Sequence, residues 1–447
     1  MQSSISASRL RSTIFAFALV FACSATALET ASTWEQDLEV FRSNVFEPDK
    51  SFSEEEREKG EHLLSRLEEE HDQLSPAQIE LALAEISAIT NNGHSFLMPG
   101  GWTDRYKQLP LRFHVFADGI YIISAGDGYT ELVGQKLVSI DGQTSNQLRE
   151  SWKKYQGGLD GWRDVYLPYF LETPVMLNAA GLNTRVDSVT LKLADASGKF
   201  TEIEITASSD QPPLEGIDQY LAPSRLLRGA IQSQQDQLPL YLQQAQQTFR
   251  YDFIEDINAA YIQFKANTDY SGEQNIDAFL DSVSGFLRKN KPANIIVDQR
   301  FNFGGDLNIT RELMQKIPGY LDTDGKVYII TSGRTFSAAI SSMGYLKQVA
   351  GDRAVIVGEP VGDALEFWAE GDLQVLPNSG VAFLMATERH NYMTGCPEKD
   401  CHGSIRRHPI KVPTLAPDSL VALTWSDYER GIDPALEEIR TMISRNP

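Results

Sequence analysis

The sequence predicts a mixed α/β fold: a parallel sheet in the C-terminal half, a β-rich module before it, and a helical segment at the N-terminus. Two observations carry this. Three short apolar runs, Asn294–Val297, Val327–Ile330 and Ala354–Val357, are separated by helical patterns, and strand-helix-strand repeats imply parallel pairing through right-handed crossovers. Between roughly Leu109 and Ala207 the period changes to short alternating strands with turn signals, including Ile120–Ile123 and Lys136–Ile140 before Asp141-Gly142. At 447 residues, 42% hydrophobic and 23% charged, the chain is globular and has room for two or three domains. A formal charge of −21 argues against nucleic acid or anionic membrane as partners, because neither would attract such a surface.

The N-terminus carries Arg9 and Arg11, an apolar run from Ile14 to Ala22, and then Ala25-Thr26-Ala27, the three regions of a secretory signal. The mature chain is expected to begin near Leu28, giving a secreted or periplasmic protein. That run is shorter than the roughly 20 residues needed to span a bilayer, so no membrane span is expected. In the alternative, Val20-Phe21-Ala22-Cys23 is a poor lipobox and Cys23 is acylated and retained. From Thr30 to Gly93 the pattern is helical, and its last helix is well marked. Ser75 stands as N-cap, Pro76 as first helical residue and Gln78 as capping-box partner, while Ile79, Leu83, Ile86 and Ile89 share one face until Asn92-Gly93. His94 follows at once. A Gln-rich stretch from Gln232 to Gln247 reads as a linker or a surface helix. The expected divisions are a signal at 1–27, a helical segment with His94 at 28–104, a β-rich domain at 105–212 and an α/β domain at 213–447.

Once the signal is removed, Cys396 and Cys401 form an even pair in an oxidising compartment, which reads as a disulfide. The rival is a metal site with the nearby His390, His402 and His408, but zinc spacings usually include a C-x2-C pair, absent here. No metal and no cofactor are expected.

Reactive groups of an α/β sheet collect at the carboxyl ends of its strands. One end reads Asp298-Gln299-Arg300-Phe301-Asn302-Phe303-Gly304-Gly305, whose paired glycines let backbone N–H groups approach a ligand closely. Another reads Thr331-Ser332-Gly333-Arg334-Thr335-Phe336-Ser337-Ala338-Ala339, passing from strand to helix so that Ser337 sits near a helix N-terminus with its free N–H groups. Taken singly, Ser337 would be a helix cap, Gly304-Gly305 a turn, and His94 a surface histidine at a helix end. Their combination points to chemistry.

Residues 298–305 resemble the D-L-R-x-N-x-G-G signature of the C-terminal processing (tail-specific) peptidases, departing at Gln299. Thr335–Ala339 is similar to their nucleophile segment, and Gly358-Glu359-Pro360 follows at the family's place. The resemblance implies a crotonase/ClpP-like catalytic domain. It implies Ser337 as nucleophile, the N–H groups of Gly305 and Ala338 as oxyanion donors, and Gly304 against the substrate. The better-known branch takes a lysine base after the G-E-x-T turn, where this chain has Gly362 and Asp363, and Lys347 lies too far along the helix after Ser337. The tricorn-like branch takes a histidine from an N-terminal segment with a D-x-H-[ST] pattern, which Asn92-Gly93-His94-Ser95 resembles with Asn92 for aspartate. His94, with an ordinary pKa near 6.5, suits a general base. Glu366, Glu388, Glu398 and Asp400 are the candidates to orient it. Leu132–Gly142 resembles the late strand of a PDZ domain, which adds peptide ends to a sheet edge.

The expected function is hydrolysis of extended or unfolded polypeptide through a Ser337 acyl-enzyme. A non-catalytic binding protein on the same scaffold and a small-molecule esterase remain alternatives. Nothing in the sequence sets the oligomeric state.

Overall fold

The computed structural model describes residues 31–209, 221, 228–229, 238–269 and 275–445. The expected signal, Cys23 and the first residues of the Gln-rich stretch lie outside them. The chain opens with three helices, α1 (Ala31–Phe41), α2 (Glu54–Glu70) and α3 (Pro76–Ala88). A reciprocal capping box starts α3, with Ser75 and Gln78 each accepting the other's backbone N–H and Pro76 at the first position.

After β1 (Phe96–Leu97) and a single turn, α4 (Trp102–Arg105), the chain builds an antiparallel sheet from β2 (Leu111–Phe116), β3 (Gly119–Ala125), β4 (Lys136–Ile140), β5 (Gln143–Thr144), β6 (Ser188–Ala194), β7 (Phe200–Thr206) and β8 (Arg228–Gly229). The main strand order is β2-β3-β4-β6-β7, with β5 on β4 and β8 on β3. Helices α5 (Ser145–Trp152), α6 (Asp160–Leu171) and α7 (Pro174–Ala179) lie in the chain between β5 and β6. The apolar faces of this sheet and of the N-terminal helices are buried together. Phe41, Leu83 and Ile86 share one hydrophobic cluster with Leu111, Ile122, Leu137 and Leu191.

The second sheet holds β9 (Phe249–Ile254), β10 (Ala259–Phe264), β11 (Asn294–Asp298), β12 (Val327–Thr331) and β13 (Ala354–Gly358), with α8 (Ile276–Asn290), α9 (Arg311–Lys316) and α10 (Ala338–Ala350) between its strands. A hairpin of β14 (Glu366–Val375) and β15 (Ala382–Asn391) follows, and β16 (Ser419–Leu420) returns beside β13. The order is β16-β13-β12-β11-β10-β9, parallel from β10 to β16 and antiparallel at β9. Every residue of β12 is buried, which explains why the parallel strands read as unbroken apolar runs. One face packs on Val283, Leu287 and Leu346, the other on Ala435, Leu436 and Ile439 of the C-terminal helix Pro434–Arg445. β15 also pairs with β1 and so ties the hairpin to the N-terminal segment.

Among the described residues of the Gln-rich stretch there is one short 3-10 turn, Leu240–Leu242, instead of a longer helix or a free linker. Tyr241 and Leu242 are buried against Phe301 and Tyr428, and these two apolar residues outweigh their glutamine neighbours. Cys396 and Cys401 are joined by a disulfide. No helix among the described residues is long and apolar enough to cross a membrane.

Candidate active site

Ser337 stands between β12 and α10 as the residue before the helix, at φ 54° and ψ −126°. A non-glycine residue avoids this region unless its surroundings hold it there, and such conformations gather at functional sites. The loop after β11 does the holding. A Cβ on Gly304 would stand 2.7 Å from Ser337 Cβ and 3.1 Å from its Oγ, so only glycine allows this approach. Asn302 Oδ1 accepts the N–H of Gly304 at 3.0 Å, and the Asn302 carbonyl accepts that of Phe336 at 3.0 Å. Asn267 braces both loops. Its Nδ2 donates to the Ala338 carbonyl and to Ser342 Oγ, both at 2.9 Å, and its Oδ1 accepts from Asn302 Nδ2. The backbone N–H groups of Gly305 and Ala338 have no acceptor among the described residues, and the Ala338 nitrogen would stand 3.1 Å from a Cβ on Gly304. The departure at Gln299 is absorbed locally, its Oε1 accepting from Asn302 at 2.7 Å.

His94 follows α3 in a tight turn and packs against the residue before Ser337, with no hydrogen bond to Ser337 among the described residues. Its ring stacks on Phe336, the residue before Ser337, at 4.3 Å between centroids, and on Phe367 of β14 at 5.1 Å. Gly93 permits this, since a Cβ there would stand 2.8 Å from the Phe336 ring. Trp162 locks the turn, its ring stacked on Phe336 at 3.7 Å and its indole N–H donated to the Gly93 carbonyl at 3.1 Å. Asn92, where the resembled pattern has aspartate, donates to the Trp368 carbonyl at 3.0 Å and to Ser95 Oγ at 3.1 Å.

Both ring nitrogens of His94 are buried with no hydrogen-bond partner among the described residues. Burial, aided by the nearby His390, lowers the imidazole to about 3, so at neutral pH it is unprotonated. The nearest acid is Asp363, with Oδ2 at 3.4 Å from Nδ1 but without hydrogen-bond geometry. Burial raises its carboxyl well above the usual range.

The four acids expected as orienting partners are engaged elsewhere. Glu366, Glu398 and Asp400 surround Arg389, at 2.8, 3.1 and 3.1 Å, and Glu388 bonds His402. Sequence reasoning did not weigh Asp363 as a partner for His94, although it stands where the better-known branch has its lysine. Lys347 donates to the Ala354 carbonyl at 2.6 Å, at the start of β13. Of the remaining histidines, His114 lies in β2 with its ring edge-on to Phe116, lowered by burial to about 3.

A cavity of about 490 Å³ lies beside this constellation. It is walled by Phe113–Phe116 of β2, by Asp164 and Tyr169 of α6, and by Ser332, Gly333, Arg334 and Glu359 at the carboxyl ends of β12 and β13. Neither Ser337 nor His94 lines it. The edge strand β2 gives one N–H, that of Phe113, to Glu172 Oε1 at 2.8 Å.

No protein-family model and no curated protein matches the chain. The mixed α/β fold with its several sheets is nevertheless shared with solved structures. Mature CPAF complexed with lactacystin aligns with a TM-score of 0.55 at 12% identity over 93% of this chain and 98% of that one, and a further structure of mature CPAF gives the same figures. The photosystem II D1 C-terminal processing protease aligns at a TM-score of 0.36 and 13% identity, over 88% of this chain and 94% of that one.

Proposed function

We propose that this chain is an exported serine endopeptidase of the C-terminal processing family, tricorn-like branch, cutting extended or unfolded polypeptide. The observation that supports the reading is that Ser337, at φ 54° and facing Gly304, directly follows Phe336, on whose ring an unpartnered His94 is stacked. Ser337 Oγ attacks the peptide carbonyl while His94 takes its proton, and the N–H groups of Gly305 and Ala338 receive the oxyanion. His94 then protonates the leaving amine, and water hydrolyses the acyl-enzyme by the same route in reverse. Asp363 Oδ2 faces Nδ1 at 3.4 Å, and as a carboxylate it is the group placed to offset the charge of the imidazolium. The catalytic domain is crotonase/ClpP-like in this reading and the β2–β7 module PDZ-like. Its edge strand β2 faces the 490 Å³ cavity, where an extended peptide adds to the sheet.

The test compares wild type, Ser337→Ala and His94→Ala on casein, on peptide libraries and on aryl esters, with a fluorophosphonate probe alongside. Wild-type turnover and labelling that both variants lose support the reading. Equal turnover in all three ends it. An unlabelled wild type points to a binding protein, and turnover of esters alone to an esterase.

A further inference from the structure

Behind Phe367, on the side away from His94, lies a second cluster of ligating groups that the proposed chemistry does not use. His390 on β15 pairs across the hairpin with Phe367, their rings 4.7 Å apart. Its Nδ1 meets the Tyr392 hydroxyl at 3.1 Å. Its Nε2 is buried and has no hydrogen-bond partner among the described residues, yet Glu370 Oε1 lies 3.2 Å away. The His402 ring stacks on that of His390 at 5.3 Å, and Glu388 holds its Nδ1. One ligand atom from each of Glu370, His390 and His402 falls within 4.8 Å of the others.

We propose that Glu370, His390 and His402 form a divalent-metal site of the zinc class. The donor chemistry is that of two imidazoles and one carboxylate, a set suited to Zn2+ with a fourth position open to water. The Nε2 to Oε1 separation of 3.2 Å matches the roughly 3.3 Å edge of a tetrahedron with bonds of about 2.0–2.1 Å. Each histidine has its Nδ1 held by an outer group, Tyr392 or Glu388, which leaves the other nitrogen for the ion in the pattern that fixes ring and tautomer in metal sites. A Glu370–His390 pair accounts for the 3.2 Å contact by itself, but not for the second imidazole, His402, gathered beside it. Glu370 sits at a bulge in β14, between register shifts and at φ 63°, and bulges re-aim side chains in this way. His390 and Glu370 are half-and-half to solvent, the first buried and the second exposed on its rim, so an ion has a route in. The bound ion would clamp the hairpin carrying Phe367 to the segment after the disulfide.

The experiment uses the mature chain without an affinity tag, its disulfide intact, stripped with chelator and titrated with Zn2+ by calorimetry and with Co2+ by visible absorption. Wild type should bind one equivalent, show the d–d bands of a tetrahedral site, and gain thermal midpoint with Zn2+. His402→Ala and Glu370→Gln, both at the open side, should each weaken binding at least tenfold while matching the wild-type midpoint in chelator. Glu388→Gln should weaken it about 10- to 100-fold, as loss of an outer-shell partner does. No binding by the oxidised wild type, unchanged affinity in both ligand variants, or binding that requires reduction of Cys396–Cys401 would each overturn the site. The last would assign the ion to Cys396, Glu398 and Cys401 instead.

Discussion

Replacing Gly304 with alanine places a methyl group 2.7 Å from Ser337 Cβ and 3.1 Å from its Oγ, where ordinary contact begins near 3.4 Å. One of the two loops must therefore shift by about 0.7 Å, and a misplacement approaching 1 Å can cost about 100-fold in rate. The backbone adds a second penalty, since Gly304 sits at φ 113°, a region that costs a residue with a Cβ about 1–3 kcal/mol. Gly128→Ala separates the two effects. Gly128 is at φ 88° with nothing within 4 Å of an added Cβ, so it carries strain without the clash. With casein turnover and fluorophosphonate labelling as readouts, Gly304→Ala should lose about two orders of magnitude in both, and Gly128→Ala should lose thermal midpoint alone. Wild-type labelling by Gly304→Ala would refute the claim that this glycine sets the serine's position.

Burial lowers His94 to about 3 from an ordinary 6.5, so the unfolded chain binds more protons between those values. Stability is thus full above pH 6.5 and falls as pH drops toward 3, and His94→Phe, matched to its aromatic neighbours, should flatten part of that slope in denaturant melts from pH 7 to 4. By the same shift the acid limb of kcat/KM should lie well below pH 6.5, and a limb at 6.5 would count against the buried imidazole as base. Asp363→Asn keeps the acceptor for the Ala364 N–H, now 2.9 Å away, but cannot ionise. It should lower kcat by up to about 100-fold with KM unchanged, and an unchanged kcat would remove Asp363 from the mechanism. The disulfide closes a loop with a sequence separation of 5; Cys396→Ser with Cys401→Ser should cost about 2 kcal/mol in chemical denaturation.

Elements set by local signals were legible in the sequence. The capping box at Ser75, the apolar runs of β11, β12 and β13, and the Asp141-Gly142 turn after β4 all stand where their residues point. Each rests on neighbours within a few positions. Long-range pairings left no such trace. The stacking of His94 between Phe336 and Phe367 depends on three distant segments meeting, and Asp363 is a lone acid in a loop. The hydrophobic cluster that joins the first helices to β15 through Phe41 and Phe383, 4.9 Å apart, has no periodicity to announce it. The Gln-rich stretch misled for a related reason: its composition spoke for solvent, while the few apolar residues within it, Leu238, Tyr241 and Leu242, decided its burial.

Because His94 is fixed by a turn near one end of the chain and walled by Phe367 near the other, a nascent polypeptide does not hold the finished arrangement. While synthesis is under way, the hydroxyl arrives long after the imidazole, and the hairpin that encloses the imidazole arrives later still. Under the proposed chemistry a copy still on the ribosome is inert, and the competent form exists only once the whole chain has folded.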